Sequence, residues 1–323
     1  FMISQDYKSM LNGKSVIREM SAWATKRGTE IGYENVFDYS LGNPSVAVPQ
    51  EFTDKMIELL QTKSPMELHG YSQSQGIPSV RAKLAEYLNK TYGMNYTAEH
   101  IFMTSGAAGA VAHATRAVTK PGDEVITPTF TFIATAEVVA LLGLTPVVVD
   151  VDWDTMNISV DSIRKAITPR TKAIVPVHLF GQCADMEAIM SIAQEHNLYV
   201  VEDACQAIGS VYTFADGTQK QAATIGDIGC TSFFPSKNLG CYGDGGAIFT
   251  NDDELAAKMR AIANHGMVVR YYHDTVGVNS RLDSIQAAIL DAKLPHLNEY
   301  ITARQAAAAY YDKALANHPH ILP

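Results

Sequence analysis

The chain has 323 residues, 47% of them apolar and 18% charged, a composition ordinary for a globular protein with one large domain or two. It has 25 lysine and arginine residues against 34 aspartate and glutamate residues, and this net charge of −9 argues against nucleic acid or an anionic membrane as a partner. The sequence lacks a signal-peptide pattern and any run of about 18 apolar residues, so we expect a cytoplasmic protein.

Residues 1–50 are predicted to form an N-terminal segment with weak helical patterning around Ser15–Lys26 and a turn-rich stretch at Tyr39–Pro49. Apolar residues at helical spacing then predict two helices on either side of the loop HGYSQSQGIP. These helices are Glu51–Thr62 and Pro78–Tyr92.

Residues 51–280 are predicted to be a large α/β domain, because strand and helix patterns alternate along them. The predicted strands are Phe102–Thr104, Glu124–Thr127, Thr145–Val149, Lys172–Val177, Leu198–Glu202, Cys230–Phe233 and Ala247–Thr250. The predicted helices are Ala107–Val118, Thr135–Leu142, Val160–Ile167 and Asp185–His196. This alternation is typical of a mostly parallel seven-stranded sheet flanked by helices, in which the loops that carry a ligand site meet at one edge.

Lys237 lies in a glycine-rich turn between two predicted strands. Cys230–Phe234 alternates small or polar with apolar residues, as a half-buried strand does, and Pro235 ends the ladder because it has no N–H to donate. Gly245–Thr250 then resumes as an apolar strand. Partial desolvation in such a turn favours a neutral amine, which Schiff-base formation with a carbonyl requires. The alternative is a surface lysine in a flexible turn.

Asp203 follows the near-continuous apolar run Leu198–Glu202, which is typical of a parallel strand buried on both faces. An acid at this position lies at the carboxyl edge of the sheet, where open α/β sheets bind ligands. Pyridoxal 5′-phosphate requires a lysine to hold its aldehyde and a carboxylate to keep its pyridine nitrogen protonated. Lys237 and Asp203 together therefore predict this cofactor, although a strand-end aspartate alone is more often a helix cap.

The four cysteines, Cys183, Cys205, Cys230 and Cys241, fall at no metal-ligand or redox spacing. Each sits in apolar or glycine-rich sequence, so we expect buried free thiols and no metal site.

From about residue 122 to residue 315 the chain resembles the DegT/DnrJ/EryC1/StrS family of sugar aminotransferases. The resemblance rests on PGDEVITPTFTFIAT, AIVPVHLFGQCADM, VVEDACQAIGS, CTSFFPSKNLGCYGDGGAIFTNDDELA and YYHDTVGVNSRLDSIQAAIL. Within that family it looks most like the UDP-2-acetamido-2-deoxy-3-oxoglucuronate aminotransferases. The resemblance implies the fold type I of pyridoxal-phosphate-dependent transferases. It also implies that residues 281–323 form a long helix leading to a small C-terminal domain that is largely missing.

The first third instead resembles the class I, aspartate aminotransferase-like enzymes, through LGNPSVAVP, HGYSQSQGIPSVRAKLAEYL and IFMTSGAAGA. The chain thus combines features of two branches of one fold, both of which use the same cofactor.

The resemblance also implies roles for individual residues. Those assigned to the cofactor are Ser105, Gly106, Ala107, Ala108 and Ser232 at the phosphate, Phe132 stacked on the pyridine ring, Gln206 near the ring hydroxyl, and Asn279 at the phosphate of a neighbouring subunit. Those assigned to the substrate are Tyr71, His178 and Arg281. By pattern alone, Ser105 is equally a plain helix cap and His178 equally a satisfied strand histidine.

The predicted function is aminotransfer from an amino acid, by resemblance glutamate, to a keto nucleotide sugar such as a UDP-linked 3-keto sugar acid, in a homodimer. Lys237 would move the proton and Asp203 would stabilise the electron-rich ring. Two alternatives remain: a class I enzyme acting on amino and keto acids, and an inactive pyridoxal-phosphate-binding homologue.

Overall fold

The computed structural model describes residues 16–39, 49–64, 76–269 and 271–321. The chain divides into two compact units, Phe1–Ala47 and Val48–Pro323. In the first unit, helix α1 spans Val16–Ile31, five residues beyond its predicted end. The predicted substrate residue Tyr71 lies outside the described residues.

The second unit holds the α/β fold, and the seven predicted strands of its sheet are confirmed. Its helices are α2 (Gln50–Thr62), α3 (Pro78–Tyr92), α4 (Ala107–Val118), α5 (Ala134–Leu141), α6 (Val160–Ala166), α7 (Met186–His196), α8 (Asp253–Ala263), α9 (Ser284–Lys293) and α10 (Leu297–Leu315). Its strands are β1 (Ile101–Thr104), β2 (Glu124–Pro128), β3 (Thr145–Val149), β4 (Thr171–Ile174), β5 (Tyr199–Asp203), β6 (Val211–Thr213), β7 (Gln219–Gln221), β8 (Ile228–Ser232) and β9 (Gly246–Phe249).

The large sheet has the strand order β1-β9-β8-β5-β4-β2-β3. β9 runs antiparallel to both of its neighbours, whereas the other pairs are parallel, so six strands point the same way. The carboxyl ends of those six strands and the amino end of β9 consequently lie at one edge. The remaining strands, β6 and β7, form a separate antiparallel hairpin.

Alternate residues of the strands pack against helices on opposite faces of the sheet. Val125, Ala173 and Val201 lie in one cluster with α4, α5 and α8. Their neighbours Ile126 and Val200 lie in a second cluster with α6 and α7. A third cluster packs α3 and α9 against the β1 and β9 end of that second face. Because side chains alternate along a strand, this two-sided burial explains the continuous apolar runs in the sequence.

Several expectations need correction. β8 is buried at every position and is not half-buried, because helices cover both faces of the central strands. Helix α8 and the β6–β7 hairpin were not predicted. The N-cap of α8 is Asp252, whose carboxylate accepts hydrogen bonds from the backbone N–H groups of Glu254 and Leu255. The larger unit continues through residue 280 without a division, since α9 contributes Ile289 and Leu290 to its core.

The four cysteines are free; Cys230 and Cys241 are buried, whereas Cys183 and Cys205 are partly buried. None of the helices in the described ranges combines the length and the apolar composition that a membrane span requires.

Candidate active site

Asp203 and Lys237 follow neighbouring strands at the same edge of the sheet. Asp203 is the last residue of β5 and pairs with Cys230 of the adjacent parallel strand β8. β8 ends two residues later at Ser232, and Lys237 lies in the turn that follows. The two side chains predicted to carry the chemistry thus belong to one edge, where α/β sheets bind ligands.

The Asp203 carboxylate is nearly buried, with 6% of the residue exposed, and both of its oxygens are occupied by donors. The Thr135 hydroxyl donates to Oδ2 over 2.9 Å, and the backbone N–H of Cys205 donates to Oδ1 over 3.2 Å. Donors to both oxygens stabilise the charged carboxylate and hold it in one orientation.

The Lys237 turn is held by backbone hydrogen bonds and by a second lysine. The Lys237 N–H donates to the Phe234 carbonyl over 2.9 Å, and Cys241 N–H donates to the Phe233 carbonyl over 2.8 Å. Lys293, on α9, directs its ammonium to the Gly240 carbonyl, and burial lowers its pKa. Lys237, in contrast, is a half-buried residue whose ammonium makes no hydrogen bond or ion pair with residues of the described ranges.

The Cys205 thiol lies within electrostatic reach of both Asp203 and Lys237. Burial raises the pKa of the Cys205 thiol well above its usual range, the negative charge of Asp203 adds to this effect, and Lys237 opposes it. The thiol therefore stays protonated, and it can donate to the Asp203 carboxylate.

The start of α4 carries free backbone donors. Gly106, at φ 99°, is the N-cap of this 12-residue helix and supplies no side-chain hydrogen bond to it. Ser105 is exposed, and its hydroxyl lies 3.1 Å from that of Ser280, so Ser105 is not the cap of the helix. The N–H groups of the first turn, which include Ala107 and Ala108, therefore remain available to an anion.

Thr104, Gly246 and Ser232 form one row across β1, β9 and β8 at the same edge. A Cβ on Gly246 would lie 2.8 Å from the Gly106 carbonyl oxygen and 2.8 Å from Thr104 Oγ1, so the close approach of these strand ends requires glycine. Ser232 is 2% exposed, and its Oγ accepts from the Phe234 N–H. Ser232 therefore lies at the same edge of the sheet as the end of β1, which the first turn of α4 follows.

Phe132 and Gln206 lie at the loops beside Asp203. Phe132 precedes α5 and leaves 74% of its surface exposed, so its ring is not part of the core. Gln206 Oε1 accepts from the Phe180 N–H over 2.7 Å, which fixes the orientation of the amide. Its Nε2 has no partner in the described part of the chain and remains available as a donor.

His178 does not agree with the predicted substrate contact. The residue is fully buried, its Nε2 lies 2.8 Å from Glu202 Oε2, and its Nδ1 accepts from the Ala184 N–H. Both ring nitrogens are used inside the fold, so His178 is the satisfied strand histidine of the alternative interpretation.

The loop with Asn279 and Arg281 lies beside the α4 start of its own subunit, through the contact between Ser280 and Ser105. Asn279 is exposed and pairs with Asn264 in an isolated antiparallel bridge, and Arg281 is partly buried. The contact of Asn279 with a neighbouring subunit stays a prediction.

Thr135 was not singled out from the sequence. A threonine in the first turn of a helix is usually interpreted as a local cap, and its partner Asp203 lies 68 residues away. Its position in the first turn of the helix that follows β2, close to the ligand-binding edge, was the signal that could have indicated it.

A model of the DegT/DnrJ/EryC1/StrS aminotransferase family matches residues 77–323. This match begins well before residue 122, where the motif resemblance starts, so the Ser105–Ala108 segment falls inside it. The UDP-2-acetamido-2-deoxy-3-oxo-D-glucuronate aminotransferase of Pseudomonas aeruginosa is 58% identical over 195 residues, which cover 60% of this chain and 53% of that protein. The chain thus spans about half the length of the curated relatives it matches.

Solved structures share the fold. The crystal structure of Streptomyces venezuelae DesV has a TM-score of 0.72 and 37% identity, over 84% of this chain and 68% of that one. NtdA from Bacillus subtilis, with bound cofactor PMP, has a TM-score of 0.70 and 29% identity, over 96% of this chain and 71% of that one.

Proposed function

The chain belongs to the DegT/DnrJ/EryC1/StrS aminotransferase family, and we propose that it is a pyridoxal-phosphate-dependent aminotransferase that aminates a keto nucleotide sugar. The observation that carries this proposal is the placement of Lys237 and Asp203 after adjacent parallel strands. The Lys237 ammonium has no partner among the described residues, and the Asp203 carboxylate is held by two hydrogen-bond donors. The chemistry of this cofactor requires such a lysine and such a carboxylate.

The residues at the strand edge fit the phosphate and ring of pyridoxal 5′-phosphate. The uncapped first turn of α4, with Ser105 and Ser232, would hold the phosphate. The exposed ring of Phe132 would stack on the pyridine, and Gln206 Nε2 would donate to the ring hydroxyl. When bound, the cofactor supplies an electron-accepting ring that stabilises negative charge on the amino-acid α-carbon.

Lys237 has two roles in this proposal. It would hold the cofactor's aldehyde carbon in the resting protein, and after release by the donor amine it would move the proton between the donor's α-carbon and the cofactor's C4′. Its free ammonium suits both roles, because no ion pair with a described residue has to break first. Asp203 would keep the ring nitrogen protonated throughout.

The acceptor class rests on the similarity to the Pseudomonas aeruginosa protein, whose name gives a UDP-linked 3-oxo sugar acid as its substrate. We infer the same class here, with glutamate as the amino donor. Arg281 and backbone N–H groups would bind the diphosphate, since the protein as a whole is acidic and any anion site must be local.

Absorbance and stopped-flow spectroscopy of the purified protein test the proposal. We expect glutamate to convert the bound cofactor to its aminated form, and a UDP-linked 3-keto sugar acid to return it faster than oxaloacetate or pyruvate at equal concentration. Lys237→Ala is the control without the proton carrier. Faster return with a simple keto acid would move the function to the class I type, and no return with any acceptor would indicate an inactive homologue.

A further inference from the structure

Thr135 is the side chain that fixes the second oxygen of Asp203. The two residues are 1% and 6% exposed, and Thr135 Oγ1 lies 2.9 Å from Asp203 Oδ2. The other oxygen atoms near this hydroxyl, the Phe132 carbonyl and Thr131 Oγ1, are both 3.4 Å away. The hydroxyl has one proton to donate, and the shortest contact with a charged acceptor takes it.

The hydrogen bond joins two segments that reach the edge of the sheet from different strands. Thr135 lies in the first turn of α5, three residues after Phe132, whereas Asp203 ends β5. A carboxylate restrained at Oδ2 by a side chain and at Oδ1 by the Cys205 N–H cannot rotate without losing one of these bonds. The orientation of Asp203 is therefore set from the same segment that carries the exposed aromatic ring.

We propose that Thr135 is a positioning residue that holds the Asp203 carboxylate in the orientation in which it accepts the N–H of the cofactor's pyridine ring. This inference rests on the proposed function and adds a residue to it. Thr135 does not touch the ring in this proposal; it acts through Asp203. A hydroxyl is required and the methyl group is not, so serine should replace threonine and valine should not.

Ligand binding by the full chain separates this role from a structural one. The probes are pyridoxamine 5′-phosphate, which binds without a covalent bond to lysine, and its analogue with CH in place of the ring nitrogen. Calorimetric titration of Thr135→Val should show roughly tenfold or more weaker binding of the first compound. The analogue cannot donate to Asp203, so its affinity should show no comparable loss.

One control makes the same chemical change at a second site, and the other keeps the hydroxyl at the first site. Thr127 is fully buried on β2, and its hydroxyl has no partner within the described residues, so Thr127→Val should leave both affinities unchanged. Thr135→Ser should bind pyridoxamine 5′-phosphate as the unaltered protein does. If Thr135→Val does not fold, Thr135→Ala removes the same hydroxyl without adding a methyl group.

Equal losses for both compounds, or a loss in Thr135→Ser as large as that in Thr135→Val, would overturn the positioning role and leave the proposed function intact. Failure of the unaltered protein to bind either compound would contradict the proposed function and the positioning role together.

Discussion

Glu202 and His178 form a fully buried pair beneath the candidate site, with 2.8 Å between Glu202 Oε2 and His178 Nε2. Because the Ala184 N–H donates to His178 Nδ1, the imidazole is neutral and carries its proton on Nε2. Glu202 also accepts the backbone N–H groups of Ile225 and Gly226 over 2.6 Å. The carboxylate thus anchors the loop before β8 to β5, one residue before Asp203.

Glu202→Gln should lower the free energy of unfolding by about 2–4 kcal/mol, because the new amide group would place a donor against an existing donor in a buried site. Urea unfolding measures this. The control is Glu195→Gln, whose side chain is exposed at 57%. A loss no larger than that of the control would mean that the pair does not stabilise the fold.

Reduction with borohydride should fix the cofactor on Lys237, and peptide mass mapping identifies the labelled lysine. Lys293 is the informative competitor, because it is partly buried near the same turn and burial lowers its pKa. Its ammonium already donates to the Gly240 carbonyl, so we expect it to remain unlabelled. A label on Lys293, or on no lysine, would refute the assignment.

Asp203→Asn should retain the bound cofactor and lose turnover by on the order of 100-fold, because a neutral amide cannot keep the ring nitrogen protonated. Steady-state kinetics and the absorbance spectrum give the two readouts. Asp216→Asn, in the exposed turn between β6 and β7, is the matched control. A nearly normal rate in Asp203→Asn would assign the acid a structural role.

We predict a homodimer in which Asn279 of each subunit completes the site of the other. Lys237→Ala and Asn279→Ala subunits are each inactive in this prediction, and their hybrid contains one intact site. Random mixing should restore about a quarter of normal activity, since half of the dimers are hybrids with one working site of two. No recovery after demonstrated subunit exchange would place Asn279 in its own subunit's site.

His113 should make stability depend on pH. Burial lowers the pKa of this α4 imidazole to about 4, and the charge of Arg116 adds to the effect. A histidine in the unfolded chain titrates near pH 6.5. The contribution of His113 to the free energy of unfolding, on the order of 3 kcal/mol, is therefore fully present above that pH and is lost as the pH falls towards 4.

Unfolding midpoints at pH 7.5 and pH 5 test this titration. His113→Leu should remove the part of the pH dependence that arises from this ring, whereas His196→Gln, at the exposed end of α7, should not. An unchanged pH dependence in His113→Leu would show that other groups cause it.

The positions of Asp203 and Lys237 could be predicted from the sequence because the residue patterns that indicate them are local. The apolar run before Asp203 and the proline and glycines around Lys237 each fit within a few residues, and both lie at strand ends as predicted. Helix α8 carried a local signal too, the aspartate at its start, and was nevertheless not predicted. The predicted residue Tyr71 falls outside the described residues and stays a prediction.

The sequence by itself determined three features of this protein. It showed which residues end strands, where the lysine of the turn lies, and which family the motifs resemble. Only the tertiary structure decided that His178 is hydrogen-bonded to Glu202 and that β8 is covered on both faces. It also decided that Thr135 donates a hydrogen bond to Asp203, which lies 68 residues further along the chain. The physical reason is range. Backbone preferences and periodic burial act over a few residues, whereas a hydrogen bond between distant segments exists only once the sheet has brought their ends to one edge.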